Sequence, residues 1–154
     1  MSSESDDFAP IGRQLVPART AWSQTLAYSR AVRVGAMVFV SGTLSVDAQG
    51  QLVGGNDAQL QAAHVLRIIE AALHEAGSGL EDVVRLRIYL GDLADLPAVG
   101  RAQRLVFDNI QPACTVVQCQ LASDSFRVQM EADAVTSNPM LHGGAPHSDA
   151  EWLR

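Results

Sequence analysis

Cys114 stands in the stretch DNIQPACTVVQCQL, residues 108–121, where one hydrophobic helix pattern ends and a strand begins. A thiol there acts as a nucleophile only if a base, a cation or a helix N-terminus depresses its pKa. No histidine lies near it in sequence, so a neutral thiol lining a pocket is expected. Cys119 follows in the same apparent strand. Across that spacing the two Cα atoms stand ~16 Å apart, against a ~7 Å disulfide limit, and the side chains turn to opposite faces. The pair is neither a bridge nor a redox CxxC motif, and Cys119 is expected in the core. The histidines, His64, His74, His142 and His147, show no HExxH or Cys/His spacing, so no metal site is predicted.

Glu131 is a carboxylate on the polar face of a cleanly alternating strand. In SFRVQMEADAV, Phe126, Val128, Met130, Ala132 and Ala134 alternate with Arg127, Gln129, Glu131 and Asp133. A carboxylate enclosed on such a face is a proton shuttle poised near neutrality. The plainer reading is a surface or interface acid. Arg87 and Arg127 are expected on the same face, either as anchors for an anionic ligand or as partners of Glu131 and Asp133. Pairing is the favoured role, because enclosed carboxylates need partners.

What is missing narrows the chemistry further. All 11 basic residues are arginine and none is lysine. Schiff-base catalysis, an internal pyridoxal phosphate linkage and a P-loop lysine are thereby excluded, since each needs a primary amine. There is no glycine-rich dinucleotide fingerprint, so no cofactor is predicted. A net charge of −6 disfavours nucleic acid, whose phosphates require clustered positive charge. No apolar run approaches the ~18 residues of a membrane span. The acidic start MSSESDDFAP lacks the features of a signal peptide, and a cytoplasmic protein is expected.

The elements that must position these groups follow from periodicity. Residues 1–23 show no sustained period and read as an N-terminal extension, 24–136 as one domain, and 137–154 as a tail in which Trp152 and Leu153 are the apolar residues. Strand signals run through LAYSRAVRVG and MVFVSGTLSV, with a tight turn at Gly35-Ala36 and a further short strand at 51–53. Asn56 or Asp57 is the cap of a helix in which Ala62, Val65, Leu66, Ile69, Ala72, Leu73 and Ala76 form one apolar stripe, and Gly77 ends it. In DVVRLRIYLGD, Val84, Leu86, Ile88 and Leu90 oppose Arg85, Arg87 and Tyr89. Leu96, Val99, Gln103, Val106, Phe107 and Ile110 suit a second helix with Pro97 in its first turn. A strand to about Leu121 and the alternating strand through Glu131 complete an α+β layer, two helices on one sheet face. The other face is predicted to carry Arg87, Tyr89, Val116, Gln118, Gln129 and Glu131. So mixed a surface calls for a second copy of the chain as its cover.

Four segments taken together, AYSRAVRVGAMVFVSGTLSVDAQGQLVG, AGSGLEDVVRLRIYLGDLADLPAVGRAQRLVF, QPACTVV and VQMEADAV, resemble the RidA family (YjgF, L-PSP endoribonuclease), from about Tyr28 to Val135. The resemblance implies a chorismate-mutase-like α+β fold and a homotrimer with ligand clefts between subunits. It also implies hydrolysis of imines and enamines to carbonyl compounds and ammonia without metal or organic cofactor. By the same resemblance Glu131 matches the glutamate that places the attacking water, Tyr28 the tyrosine of the cleft, and Gly42 a glycine whose backbone meets ligand. The family's substrate-gripping arginine follows Pro-Ala, but here the stretch reads Pro112-Ala113-Cys114-Thr115-Val116. Cys114 replaces that arginine, and Gly100 stands where deaminating members often carry asparagine. Thr115 and Val116 fit the pattern.

Two readings follow. One is a hydrolase acting through Glu131 on an imine, an enamine or a related electrophile, held by shape rather than by a cation at position 114. The other is a non-catalytic trimer that binds a small molecule in the same cleft. Ribonuclease action, which the family's label suggests, fits the acidic charge least.

Overall fold

A computed structural model describes residues 12–139, and within them nine regular elements build one mixed sheet backed by helices. His142, His147, Trp152, Leu153 and the first eleven residues of the expected extension lie outside the described residues. The order is β1 (Arg13–Pro17), α1 (Ala21–Leu26), β2 (Ser29–Val34), β3 (Met37–Leu44), α2 (Ala58–Glu75), β4 (Val83–Leu90), α3 (Leu96–Phe107), β5 (Ala113–Gln118) and β6 (Val128–Val135). The six strands lie in the order β1-β2-β3-β6-β4-β5. Every neighbouring pair is antiparallel except β4 and β5, which α3 connects as a parallel crossover. No helix among the described residues is long and apolar enough to cross a membrane.

The long helix forms where its signals predict. Asp57 caps it, its carboxylate accepting from the backbone N–H of Gln59 at 2.9 Å and of Leu60 at 3.0 Å. At the other end Gly77 takes a left-handed φ of 78°, and the Ser78 N–H reaches back to the Leu73 carbonyl at 2.8 Å. Val65, Leu66, Ile69 and Leu73 enter the core against Val38, Val40, Leu86, Ile88, Met130 and Ala132 of the sheet, with Val99, Ala102 and Phe107 from α3. Gly35-Ala36 forms the turn between β2 and β3, and the short strand expected at 51–53 is a single bridge, Val46 to Leu52.

One buried cation joins several of these pieces. Arg33, only 2% exposed, donates Nε to the Gly35 carbonyl at 2.9 Å and Nη1 to the Ala76 carbonyl at 2.8 Å, while Nη2 meets the carbonyl of Asn138. It neutralises the C-terminal end of α2 with charge-assisted bonds where backbone acceptors have no helical partner.

Several expectations need correction. Arg13–Pro17, read as part of an N-terminal extension with no sustained period, is a strand paired with β2 at the sheet edge. Val84 is exposed and Val83 buried, because the pairing of β4 with β6 slips between Val83 and Arg85 and shifts the phase by one residue. β5 has the opposite phase to the predicted one. Cys114, Val116 and Gln118 pair with Leu86, Ile88 and Leu90, so they share the helix-covered side; Thr115 and Val117 take the open side. Cys119 lies beyond the end of β5 and is half-buried rather than in the core. The second helix stops at Phe107, and Ile110 packs on the core from the following turn.

Candidate functional site

The open sheet face carries an ionic cluster set by register. β6 presents Gln129, Glu131 and Asp133 opposite Tyr89, Arg87 and Arg85 of β4. Arg87 Nη1 lies 3.2 Å from Glu131 Oε1 and 3.2 Å from Asp133 Oδ2, and the Tyr89 hydroxyl donates to Glu131 Oε1 at 3.1 Å. Thr115 of β5 pairs with Arg87 on the same face. Glu131 Oε1 is thus held from two sides, whereas Oε2 has no partner among the described residues. The side chain remains 30% exposed, enough for water to reach it. Burial, and then the Glu131 charge, push the Tyr89 hydroxyl above its ordinary pKa, which keeps it a hydrogen-bond donor.

Beside Glu131 the partner strand bulges. Val40 pairs with Ala132 and Thr43 with Met130, so Ser41 and Gly42 together oppose Glu131. The Gln129 amide lies over Gly42, where any Cβ would collide with it. Arg30, a residue that the sequence reading passed over, reaches this bulge: its Nη1 donates to the Thr43 hydroxyl at 3.0 Å and approaches the Gly42 carbonyl at 3.4 Å. Tyr28 flanks that guanidinium and its hydroxyl is 3.0 Å from the Thr20 hydroxyl. Burial pushes the Arg30 guanidinium below its ordinary pKa, with Tyr28 opposing the shift.

Cys114 and Gly100 are elsewhere. Gln103 Nε2 of α3 lies 3.8 Å from Cys114 Sγ, on the helix side of β5. A groove of about 370 Å³ opens there, lined by Gly100, Gln103, Arg104, Phe107, Gln111 and Pro112. Gly100 sits inside α3, yet a Cβ on it would meet nothing within 4 Å. Val116 packs against the core. Within one chain, then, Tyr28, Gly42, Thr115 and Glu131 form or border the open-face site, whereas Gly100 lines a groove behind the sheet edge and Cys114 lies beside that groove's Gln103.

The two expected anion anchors are both engaged by carboxylates. Arg87 bonds Glu131 and Asp133, as the pairing expectation had it. Arg127 does not join that cluster: its Nε and Nη2 grip Asp95 at 2.8 and 3.0 Å, tying the start of β6 to the start of α3. The strength of this fork holds the Arg127 pKa above its ordinary value. Among the described residues no three His, Cys, Asp or Glu side chains gather as a metal-ligand set.

Known proteins share both the sequence and the shape. The family described as Endoribonuclease L-PSP matches residues 18–136. A RutC family protein of Pyrococcus abyssi is 35% identical over 108 residues, 70% of this chain and 84% of the relative. The 3-aminoacrylate deaminase RutC of Acinetobacter baylyi is 34% identical over 107 residues, 70% of this chain and 85% of its own length. Among solved structures, a member of the YjgF/YER057c/UK114 family from Mycobacterium tuberculosis superposes with a TM-score of 0.73 at 36% identity, covering 81% of this chain and all (100%) of that one. On sequence and fold together, the chain belongs to the RidA (YjgF, L-PSP endoribonuclease) family.

Proposed function

We propose that the chain is a deaminase-type hydrolase of imines or enamines that needs no cofactor, with Glu131 as the group that positions and deprotonates water. The observation that carries this reading is the asymmetric tethering of Glu131, one oxygen fixed by Arg87 and Tyr89 and the other open beside the Gly42 bulge. The similarity to a named 3-aminoacrylate deaminase supports the same chemistry. An enamine first tautomerises to its imine. Water then adds to the C=N carbon as Glu131 Oε2 takes its proton, giving a carbinolamine. That proton passes to nitrogen; Glu131 then takes the carbinolamine's hydroxyl proton and hands it to the nitrogen as the C–N bond breaks, so ammonia leaves as the C=O bond forms. Glu131 ends as it began.

A cleft completed by a neighbouring copy, in a homotrimer, fits the open face. Met37, Phe39, Val117 and Val135 are exposed on or beside the strands that carry the ionic cluster, an apolar surround that a second subunit would cover. Such a contact would bring one subunit's β5 edge, with Cys114, toward another's Glu131. Without a guanidinium at position 114, small α-imino acids gripped there in a two-bond fork are turned over weakly.

Ammonia release from a panel of imines, generated in situ and measured for wild type, Glu131→Gln and Glu131→Ala, tests the reading. Turnover by wild type and its loss in both variants is expected. If ligands bind but no imine is hydrolysed faster than in buffer, the protein is a binding trimer, a role the Arg87–Glu131 ion pair also suits.

A further inference from the structure

We infer that Arg30 is the anion anchor of this site, so that the preferred ligand carries a carboxylate, held from strand β2 rather than from position 114. The inference rests on the open face around Glu131 being the ligand site. It starts from the state of the cations there. Arg85 and Arg87 lie beside Asp133 and Glu131, and Arg127 is forked onto Asp95. Arg30 lies within 4.0 Å of no carboxylate among the described residues. Its contacts with the Gly42 carbonyl and the Thr43 hydroxyl run from Nη1, and its other neighbour, Tyr28, carries an uncharged hydroxyl, so the Nε–Nη2 edge meets no anionic group among the described residues. That edge is the one that meets a carboxylate with two parallel bonds.

The backbone supports the side chain in this role. The pairing of β1 with β2 slips so that Pro17 faces Ser29 while Val16 faces Ala31, and Arg30 is the residue left without a partner on β1. Bulges of this kind re-aim a side chain and sit beside sites. The second bulge, at Ser41-Gly42, lies between Arg30 and Glu131. A charged group half-withdrawn from water with no counter-ion is costly, and a bound anion removes that cost. Arg30 and Glu131 stand on strands separated by β3, so their backbones are about 10 Å apart. After both side chains reach inward, that gap fits an acid of a few carbons, its carboxylate at Arg30 and its reactive carbon near Glu131.

The test is one of binding and is independent of turnover. Pyruvate and 4-oxopentanoate are titrated into the protein, each against its uncharged amide. Wild type and Glu131→Gln bind at least one acid more tightly than its amide. Arg30→Gln, which retains hydrogen-bonding capacity but no charge, weakens that acid about ten- to a hundredfold and leaves the amide unchanged. Arg30→Lys, a point charge without the fork, falls between. If Arg30→Gln does not fold, phenylglyoxal labelling of wild type followed by peptide mapping decides: the acid protects Arg30 and the amide does not. Acid affinity within twofold in Arg30→Gln, equal binding of acid and amide, or no measurable acid binding overturns the inference. Hydrolysis failing on every imine while the acid preference persists refutes the hydrolase reading alone.

Discussion

Replacing Arg87 by methionine isolates what holds Glu131 in place. The guanidinium bonds two carboxylates at 3.2 Å each, and the three side chains are between 22% and 37% exposed. Asp133 retains a second cation, with Arg85 Nε at 4.0 Å, so the loss falls mainly on Glu131, left with the Tyr89 hydroxyl alone. A partly exposed ion pair of this geometry contributes up to ~1 kcal/mol, and uncovering two like charges on one strand face adds a few tenths. Arg87→Met is therefore expected to cost about 1–2 kcal/mol of folding free energy. A double-mutant cycle with Glu131→Gln, followed by urea unfolding, should give a coupling near 1 kcal/mol that shrinks in ~1 M salt as the pair is screened. Imine hydrolysis should fall in Arg87→Met with little change in ligand affinity, since Glu131 is then free to rotate. Additivity of the two substitutions within ~0.3 kcal/mol would show that Arg87 does not hold Glu131, and the tethering argument fails with it.

Arg33→Met removes a buried cation from at least three carbonyls and should destabilise the fold by about 3–5 kcal/mol, with Arg33→Lys recovering part of the loss in urea melts. Gly100→Ala should instead stabilise by about 0.5–1 kcal/mol, because the helix gains a better former and the added methyl meets nothing; a loss of stability would mean that the space beside α3 is not open. Tyr89 should ionise above the ordinary tyrosine value in an absorbance titration near 295 nm, and Glu131→Gln should return it part of the way, burial being the larger cause. Since its folded pKa is raised, the stabilisation tied to its proton is complete below about pH 10 and is lost as pH rises through the folded value.

The parts of the fold legible in the sequence are those with their own internal signal. α2 has a cap, a stop and an apolar stripe, and β6 alternates without interruption, which set Glu131 on the polar face in advance. β1 has five residues, three of them exposed, and ends in proline, so nothing periodic marks it. The face errors in β4 and β5 share one cause. A bulge at Val84 and the register of an edge strand are fixed by the neighbouring strand, not by the strand's own residues. Long-range pairing was equally hidden: Arg127 and Asp95 are 32 positions apart, and only the folded chain brings them together. Arg30 was overlooked because its neighbours in sequence are a serine and an alanine. The one available hint was its place two residues after Tyr28.

The side chain of Arg33 also bears on how the molecule opens. It fastens the β2–β3 turn, the last turn of α2 and the backbone at residue 138 through a single planar group. None of the three can fray alone without stranding a charge away from water. Amide protons in these segments should therefore exchange with deuterium at one common free energy, as a single cooperative unit, although they lie far apart in the sequence.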